Sequence, residues 1–418
     1  MAIVKPFPAV RPNQEAASQV AALPYDVYNR KEACQAVEGR PLSFLNIDRA
    51  ETQFPDEVDT YADCVYEKAR ELFEARQADG TFIQDETPCY YIYQLTMEGR
   101  SQTGIAAVSS IDDYLNQVVK KHENTREDKE LDRIRHVDVM DAQTGPIFLA
   151  YRKVEAIDRI VHQVCTGRPL YDFISEDGVG HKVWKIAAPG LVKAIEEEFA
   201  AVPATYIADG HHRAASAVKV GLKRRQENPG WTGKEPFNYF LSVLFPDEQL
   251  KILPYNRVVK DLNGLTEEEF LQEAEKNFTV EFLGDRPFAP GQKGEFGMYL
   301  KDGWYKLTVH GEWLKDDPVK GLDVSILQDA LLEPVLGIKD PRTDKRIDFI
   351  GGIRGLRELE RRVKEDMEVA FSLYPTSIEE LLSVADAGLL MPPKSTWFEP
   401  KLRSGLLIHK LTEEKETR

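Results

Sequence analysis

The stretch Ala204–Val220 reads "ATYIADGHHRAASAVKV", and its reading decides the fold class of the chain. Thr205 to Ala208 is a short apolar run with the composition of a buried strand, and Ala214 to Arg225 is alanine-rich with basic residues, the composition of a helix that runs to about Glu227. Between them stand an acid, a glycine, two of the chain's eight histidines and an arginine. Gly210 lets backbone approach a ligand with no Cβ in the way. The first turn of a helix offers unpaired N–H groups and the positive end of the dipole, which suit a phosphate. Arg213 can add a bidentate contact, and His211 and His212 can donate hydrogen bonds or shuttle a proton. Asp209 can hold a magnesium ion or accept a hydroxyl proton. A purely structural alternative stands beside this: Asp209 as an N-cap, and Arg213 paired with one of the chain's many acids.

Outward from this turn the elements alternate irregularly. "EVDTYADCVYEKARELFEARQADG" carries Tyr61, Val65, Ala69 and Phe73 at helical spacing, with Gly80 as a stop. "CYYIYQLTMEGRSQTGIAAVSSI" reads as a hairpin, and "HENTREDKELDRIRHVDVMDA" as a loop running into a charged helix. "FNYFLSVLFP" and "LKILPYNRVV" are two strands joined by "DEQ", and "LRSGLLIHKL" is the last strand. Helices and hairpins mix too irregularly for a doubly wound sheet or a barrel, so the expected class is α+β with mixed sheets. Two regions are expected: 1–259, a nucleotide-binding or catalytic region with insertions, and 260–418, a C-terminal α+β domain that contributes the "MPPKST" loop.

Composition narrows the partners. The chain has 418 residues, 42% hydrophobic, and 54 basic against 70 acidic side chains, a formal net charge of −16. Such a surface repels nucleic acid and anionic membranes unless a local basic patch overrides it, while leaving room for a small anion in a focused pocket. "MAIVKPFPAVRP" at the start has three prolines and no long apolar core, unlike a signal peptide, and no run reaches the length of a membrane span. The four cysteines are far apart with no C-x-x-C pair, so free thiols in the cytoplasm are expected.

Further candidate sites lie elsewhere. In "KKHENTRED" the H-E-x-T order is not the H-E-x-x-H of zinc proteases. His122 and Glu123 sit in a loop before a Thr-x-x-Asp helix start (Thr125 and Asp128), and Glu123 is the first choice of base for a substrate hydroxyl, with a solvated charge run as its alternative. Asp26 in "LPYDV" is a candidate substrate contact or a turn cap, and His181 in "GVGHKVWKI" a candidate contact or a packed histidine. "MPPKSTWFEPKLRSG" gathers Lys394, Ser395, Thr396, Lys401 and Arg403 against a single acid, Glu399, and offers either a cationic pocket for phosphate or carboxylate or a proline-rich loop. It lacks the glycine-rich cradle of a P-loop, and "FIGGIRGLRE" lacks the order of a dinucleotide fingerprint.

Four of these segments in order, "HENT" (122–125), "ADGHHR" (208–213), "PYNRVV" (254–259) and "MPPKSTWFEPKLRSGL" (391–406), resemble the domain-of-unknown-function 1015 family along essentially the whole chain. The D-G-H-H-R box also resembles the phosphate-binding box of the ParB/sulfiredoxin-like fold. Its form is most similar to that of SerK-type free-serine kinases, which phosphorylate L-serine with ADP or ATP. Sulfiredoxin has G-C-H-R, with a nucleophilic cysteine where this chain has His211. ParB has G-E-R-R and binds CTP and DNA, and the acidic balance here speaks against such a clamp.

The resemblance implies a ParB/sulfiredoxin-like core with ATP or ADP and Mg2+ as cofactors. Asp209 would be the catalytic or metal-linked acid, and His211, His212 and Arg213 would hold the phosphates. The expected activity is transfer of a phosphoryl group from a nucleotide to a small hydroxyl substrate, L-serine by resemblance. A nucleotide-binding regulator without turnover and a phosphoester hydrolase using His211 or His212 remain alternatives. The expected partners are the nucleotide and a small-molecule substrate, with no membrane, and a homodimer is left open.

Overall fold

The computed structural model describes residues 1–125 and 127–412; the side chains of Asp128 and Lys129, and with them the Thr-x-x-Asp expectation, lie outside the described residues. The described residues divide into two units: 1–121, 125, 127–250 and 400–412 form the first, and 122–124 with 251–399 the second. Helices and mixed or antiparallel sheets interleave in both, so the architecture is α+β. Among the described residues no helix is long and apolar enough to cross a membrane.

The first unit is built on a nine-stranded mixed sheet. Its order is Val119–Lys120, Thr205–Asp209, Ile147–Tyr151, Tyr239–Pro246, Arg100–Ser110, Tyr90–Met97, Gly180–Ile186 and Tyr171–Ile174, with Val4–Lys5 paired to Arg100–Ser110. Thr205–Asp209 runs parallel to Val119–Lys120 and antiparallel to Ile147–Tyr151, and the register slips between Ile207 and Asp209. Such an irregularity re-aims the end of a strand, here the one carrying Asp209.

The helix that follows begins at His211 and ends at Glu227. Ala214, Ala217 and Val218 on one of its faces join Ile147, Leu149, Ile207, Phe240 and Leu244 of the sheet in one core. Three small or β-branched residues let the helix lie close to the strands, which fixes the depth of its first turn. A second core in this unit joins Phe44, Phe73, Phe82, Met140 and Ile408.

The second unit is a six-stranded antiparallel sheet ordered Phe278–Gly284, Gly303–Val309, Glu295–Leu300, Val369–Leu373, Tyr255–Val259 and Ile347–Gly351. The Leu356–Glu365 helix packs Leu359 and Val363 on one face against Val258, Trp304, Ile350 and Ala370.

Three sequence expectations are corrected. The helix expected of the 57–80 stretch spans Asp63–Ala78, leaving Tyr61 outside it and 42% exposed. The helix of the D-G-H-H-R stretch starts at His211 rather than Ala214, so both histidines and the arginine are helical. "LRSGLLIHKL" is not a continuous strand. It makes isolated bridges at Ser404 and Ile408 and a two-residue strand at His409–Lys410. Gly405 explains the break, because its φ of +85° is left-handed and a Cβ there would lie 2.5 Å from the Phe44 ring. The "DEQ" link is a 3-10 turn, and the strands on either side of it enter different sheets.

Candidate functional site

The D-G-H-H-R turn is shaped by one backbone feature. Gly210 has φ 95° and ψ 33°, the left-handed region, and stands at the N-cap of a 17-residue helix. No side chain caps this end, and the first intrahelical bond runs from the Ala214 N–H to the Gly210 carbonyl at 2.9 Å. The amides of His211, His212 and Arg213 therefore have no acceptor within the helix, and they point out of its positive end. The capping role weighed for Asp209 does not apply, because the cap position belongs to Gly210.

Asp209 instead lies between two cations. Its Oδ2 accepts from Arg213 Nη2 at 3.2 Å and lies 3.5 Å from Lys401 Nζ, while 31% of its side chain stays exposed. Burial opposes its ionisation, but the charges of Lys401 and Arg213, with His211 close by, outweigh burial and hold the carboxyl well below the usual carboxylate range. Arg213 is turned beneath the strand. Its Nη1 donates to the Pro146 carbonyl at 2.5 Å, and only 11% of its side chain is exposed. A Cβ on Gly210 would sit 3.0 Å from the Arg213 guanidinium, so the glycine also makes room for that arginine.

The other two residues of the box differ in depth: His211 is buried and His212 half-buried. Behind His212 the Glu127–Met140 helix presents Glu130, a buried acid. Burial raises the pKa of Glu130, but bonds from Lys219 and Thr125 and the field of His212 lower it overall. Ser216 Oγ ties the two helices by donating to the Glu130 carbonyl at 3.2 Å and the His212 carbonyl at 2.7 Å. Sequence reading did not single out Glu130; its only signal was a charged residue on the buried face of an otherwise charged helix.

Below Arg213 a cleft is lined by Tyr25, Asp48, Arg133, His136, Thr144 and Arg213 among others. Arg133 stacks 3.9 Å over the Tyr25 ring and pairs with Asp132 at 2.8 Å. Thr144 donates to Asp48 at 2.9 Å, and burial keeps His136 neutral. Asp48, Arg133, His136 and Thr144 were not picked from the sequence, because Arg133 and His136 are spaced like any solvated charges on a helix.

Asp26 is exposed on the 3-10 turn Tyr25–Val27, next to the Tyr25 that lines the cleft. His181 is fully buried, with Tyr93 OH at 2.8 Å from Nδ1 and Ser175 Oγ at 3.0 Å from Nε2. Burial, aided by Arg403, pushes its pKa down to about 3. Arg403 also bonds Ser175 Oγ at 3.1 Å and pairs with Asp177, which pins the segment that carries Lys401.

In the second unit, His122 and Glu123 come together with the "MPPKST" loop. The Met391 N–H donates to the His122 carbonyl at 2.8 Å, and Thr396 Oγ1 lies 3.4 Å from His122 Nε2. Glu123 is half-buried. Ser395 is buried and spends its hydroxyl on the Pro392 carbonyl at 2.6 Å, while Lys394 is exposed with φ 56°.

Among solved structures the chain is similar to SbnI with C-terminal truncation from Staphylococcus aureus, at 13% identity and a TM-score of 0.41 over 74% of this chain and 90% of that one. It is similar to a free serine kinase in complex with AMP at 17% identity and TM-score 0.36, covering 74% and 91%. A conserved hypothetical protein from Pyrococcus furiosus gives 16% identity and TM-score 0.34, covering 73% and 95%. Among curated proteins none matches. A family model does match, over residues 4–325, and by it this chain belongs to the DUF1015 family, described as proteins of unknown function.

Proposed function

We propose that the Thr205–Arg213 turn binds the phosphates of a nucleotide and that the protein transfers a phosphoryl group to a small hydroxyl substrate. The observation that carries this reading is the helix start at Gly210. It has no side-chain cap, leaves three amides unpaired within the helix, and stands beside an ionised Asp209 flanked by Lys401 and Arg213. With one acid and two cations the cluster keeps a positive balance, which the helix end reinforces.

The phosphate contacts fall to the amides of the first helical turn, to His212 and to Lys401. Arg213, whose bonds go to Pro146 and Asp209, serves to position the acid. Asp209 Oδ1 has no hydrogen-bond partner among the described residues and fits a single carboxylate ligand for Mg2+, with nucleotide oxygens completing the shell. When bound, that ion would neutralise phosphate charge. The Glu130 carboxylate, held by Lys219 and Thr125, adds negative field near His212. Asp209, held well below the usual carboxylate range, serves as the metal-linked acid rather than as the base for the hydroxyl.

L-serine as acceptor rests on the similarity of the D-G-H-H-R box to that of free-serine kinases. The test is incubation of the purified protein with Mg2+, ATP or ADP, and L-serine, followed by detection of O-phosphoserine. Product formation that is lost in Asp209→Asn supports phosphoryl transfer to serine. Nucleotide consumption without phosphoserine turns the reading to another acceptor or to hydrolysis, and neither product nor consumption leaves a binding protein at most.

A further inference from the structure

Arg257 stands in the Tyr255–Val259 strand of the second unit, directly opposite Phe349 on one neighbouring strand and Phe371 on the other. It is 3% exposed, and its guanidinium lies 5.3 Å from the Phe349 ring centroid. Nη1 donates to the Tyr255 carbonyl, and Nη2 makes one long contact, 3.4 Å, to the Pro393 carbonyl. Among the described residues no carboxylate pairs with it. Burial accordingly pushes its pKa down to about 10, against the ordinary arginine value.

Other buried arginines of this chain are matched. Arg11 pairs with Asp85 at 2.8 Å, Arg133 with Asp132 at 2.8 Å, and Arg403 with Asp177. Arg76 has no bonded acid, but it sets its two terminal nitrogens on the carbonyls of Leu42 and Pro41 at 3.0 and 2.5 Å and has the charge of Asp79 to offset burial. Arg257 also sets two nitrogens on carbonyls, but one of these contacts is long at 3.4 Å and no acid among the described residues offsets its burial. A buried guanidinium with five donors, two contacts and no countercharge is costly, and it calls for an anion.

The loop over it supplies a second cation. Pro393, whose carbonyl receives the long contact, precedes Lys394, an exposed lysine held at φ 56°. A left-handed lysine is uncommon and persists where its surroundings impose it. Here its ammonium is drawn 5.6 Å over the Tyr255 ring, and Tyr255 in turn packs edge-on against Phe349 at 6.1 Å and Trp397 at 5.1 Å. Gly351 is required beneath Trp397, since a Cβ there would meet the indole at 2.7 Å. Arg257 and Lys394 thus flank one aromatic floor, with Thr396 and His122 on the same loop assembly. Two cations in a niche walled by aromatic rings match the charge of a phosphate monoester dianion better than that of a single carboxylate.

We infer that the second unit carries an oxyanion site at Arg257 and Lys394 that takes a phosphate dianion, free or as the phosphoryl group of a small molecule, with the weak Pro393 contact as the one displaced on binding. This site goes beyond the nucleotide reading of the 205–213 turn and does not depend on it.

The test uses the full chain with inorganic phosphate as probe and acetate as a monoanionic control. Heats of binding and the phosphate-dependent rise in Tm are measured for the unaltered protein, Arg257→Met, Lys394→Met and Arg213→Ala. Arg257→Met is expected to lower phosphate affinity by about tenfold or more while keeping or raising Tm in phosphate-free buffer, because an apolar side chain replaces an unmatched buried charge. Lys394→Met is expected to weaken phosphate without changing the phosphate-free Tm, and Arg213→Ala to leave this site intact. Three results overturn the inference: no response of the unaltered protein to phosphate, a response lost only in Arg213→Ala, or Arg257→Met losing Tm without phosphate while Lys394→Met responds as the unaltered protein does.

Discussion

Lys401 Nζ lies 3.5 Å from Asp209 Oδ2, so a lysine near the chain's end holds the acid of the D-G-H-H-R turn in its ionised form. The contact depends on the segment around it. Arg403, two residues on, is clamped by Ser175 and Asp177, and the Ser404 N–H bonds the Ala22 carbonyl at 2.9 Å. Charge at the turn is therefore set by a remote segment that sequence proximity does not reveal.

Removing that lysine should move the acid. With a depressed carboxyl, Asp209 contributes stability above the ordinary aspartate pKa near 4, and that stability is lost as pH falls through the lower folded value. Lys401→Met should raise the Asp209 pKa and cost about 1 kcal/mol at neutral pH, since the acid is partly exposed. Urea unfolding from pH 7 down to pH 2 checks this: the gap between variant and unaltered protein should persist at pH 3 and begin to close only as pH nears the depressed folded value.

Gly210→Ala should destabilise the protein by about 1–2 kcal/mol, the cost of placing an L side chain in left-handed backbone. The new Cβ would also crowd the Arg213 guanidinium at 3.0 Å, so phosphate or nucleotide affinity should fall with stability. Urea unfolding and a nucleotide titration on the same variant measure the two effects.

His181 and His409 are buried with pKa values pushed down to about 3 and about 4, chiefly by desolvation. Each is neutral when folded but binds a proton when unfolded below pH 6.5, so stability should fall as pH drops from 6.5 toward 4. His181→Gln should remove about one proton from that dependence, or about 1.4 kcal/mol per pH unit. Unfolding free energies at half-unit pH steps give the slope, and an unchanged slope in the variant would show that His181 is not the neutral buried group described.

Asp323 acts with the opposite sign. Burial raises its carboxyl to about 7, against which the Gly294 N–H bond, at 3.0 Å to Oδ1, pulls only weakly. It holds a proton when folded and loses it when unfolded between pH 3.8 and about 7, so its contribution is present at low pH and fades as pH rises through that range. Asp323→Asn should make stability rise more steeply with pH over the same window.

The strand, the turn glycine and the helix of residues 204–227 were legible in sequence because each rests on local chemistry: a short apolar run, a residue free of Cβ and an alanine-rich helix. The helix start was misplaced by three residues because Gly210 opens the helix without the side-chain cap that sequence rules look for. The last segment was read as a strand from its apolar residues, but Gly405 must bend under Phe44, and that fit is visible only in three dimensions. Glu130, Arg133 and Arg257 escaped notice for a related reason: burial turns an ordinary charge into a constrained one, and burial of a charged residue leaves little trace in sequence.

The most direct measurement of the central claim is isothermal titration of ADP with Mg2+ into the unaltered protein and into Arg213→Ala. The account predicts binding to the unaltered protein, weakened by about tenfold or more in the variant because Asp209 loses its nearer cation and the helix start its alignment. Absence of binding to the unaltered protein, or equal affinity in the two, would contradict a phosphate site at the 205–213 turn.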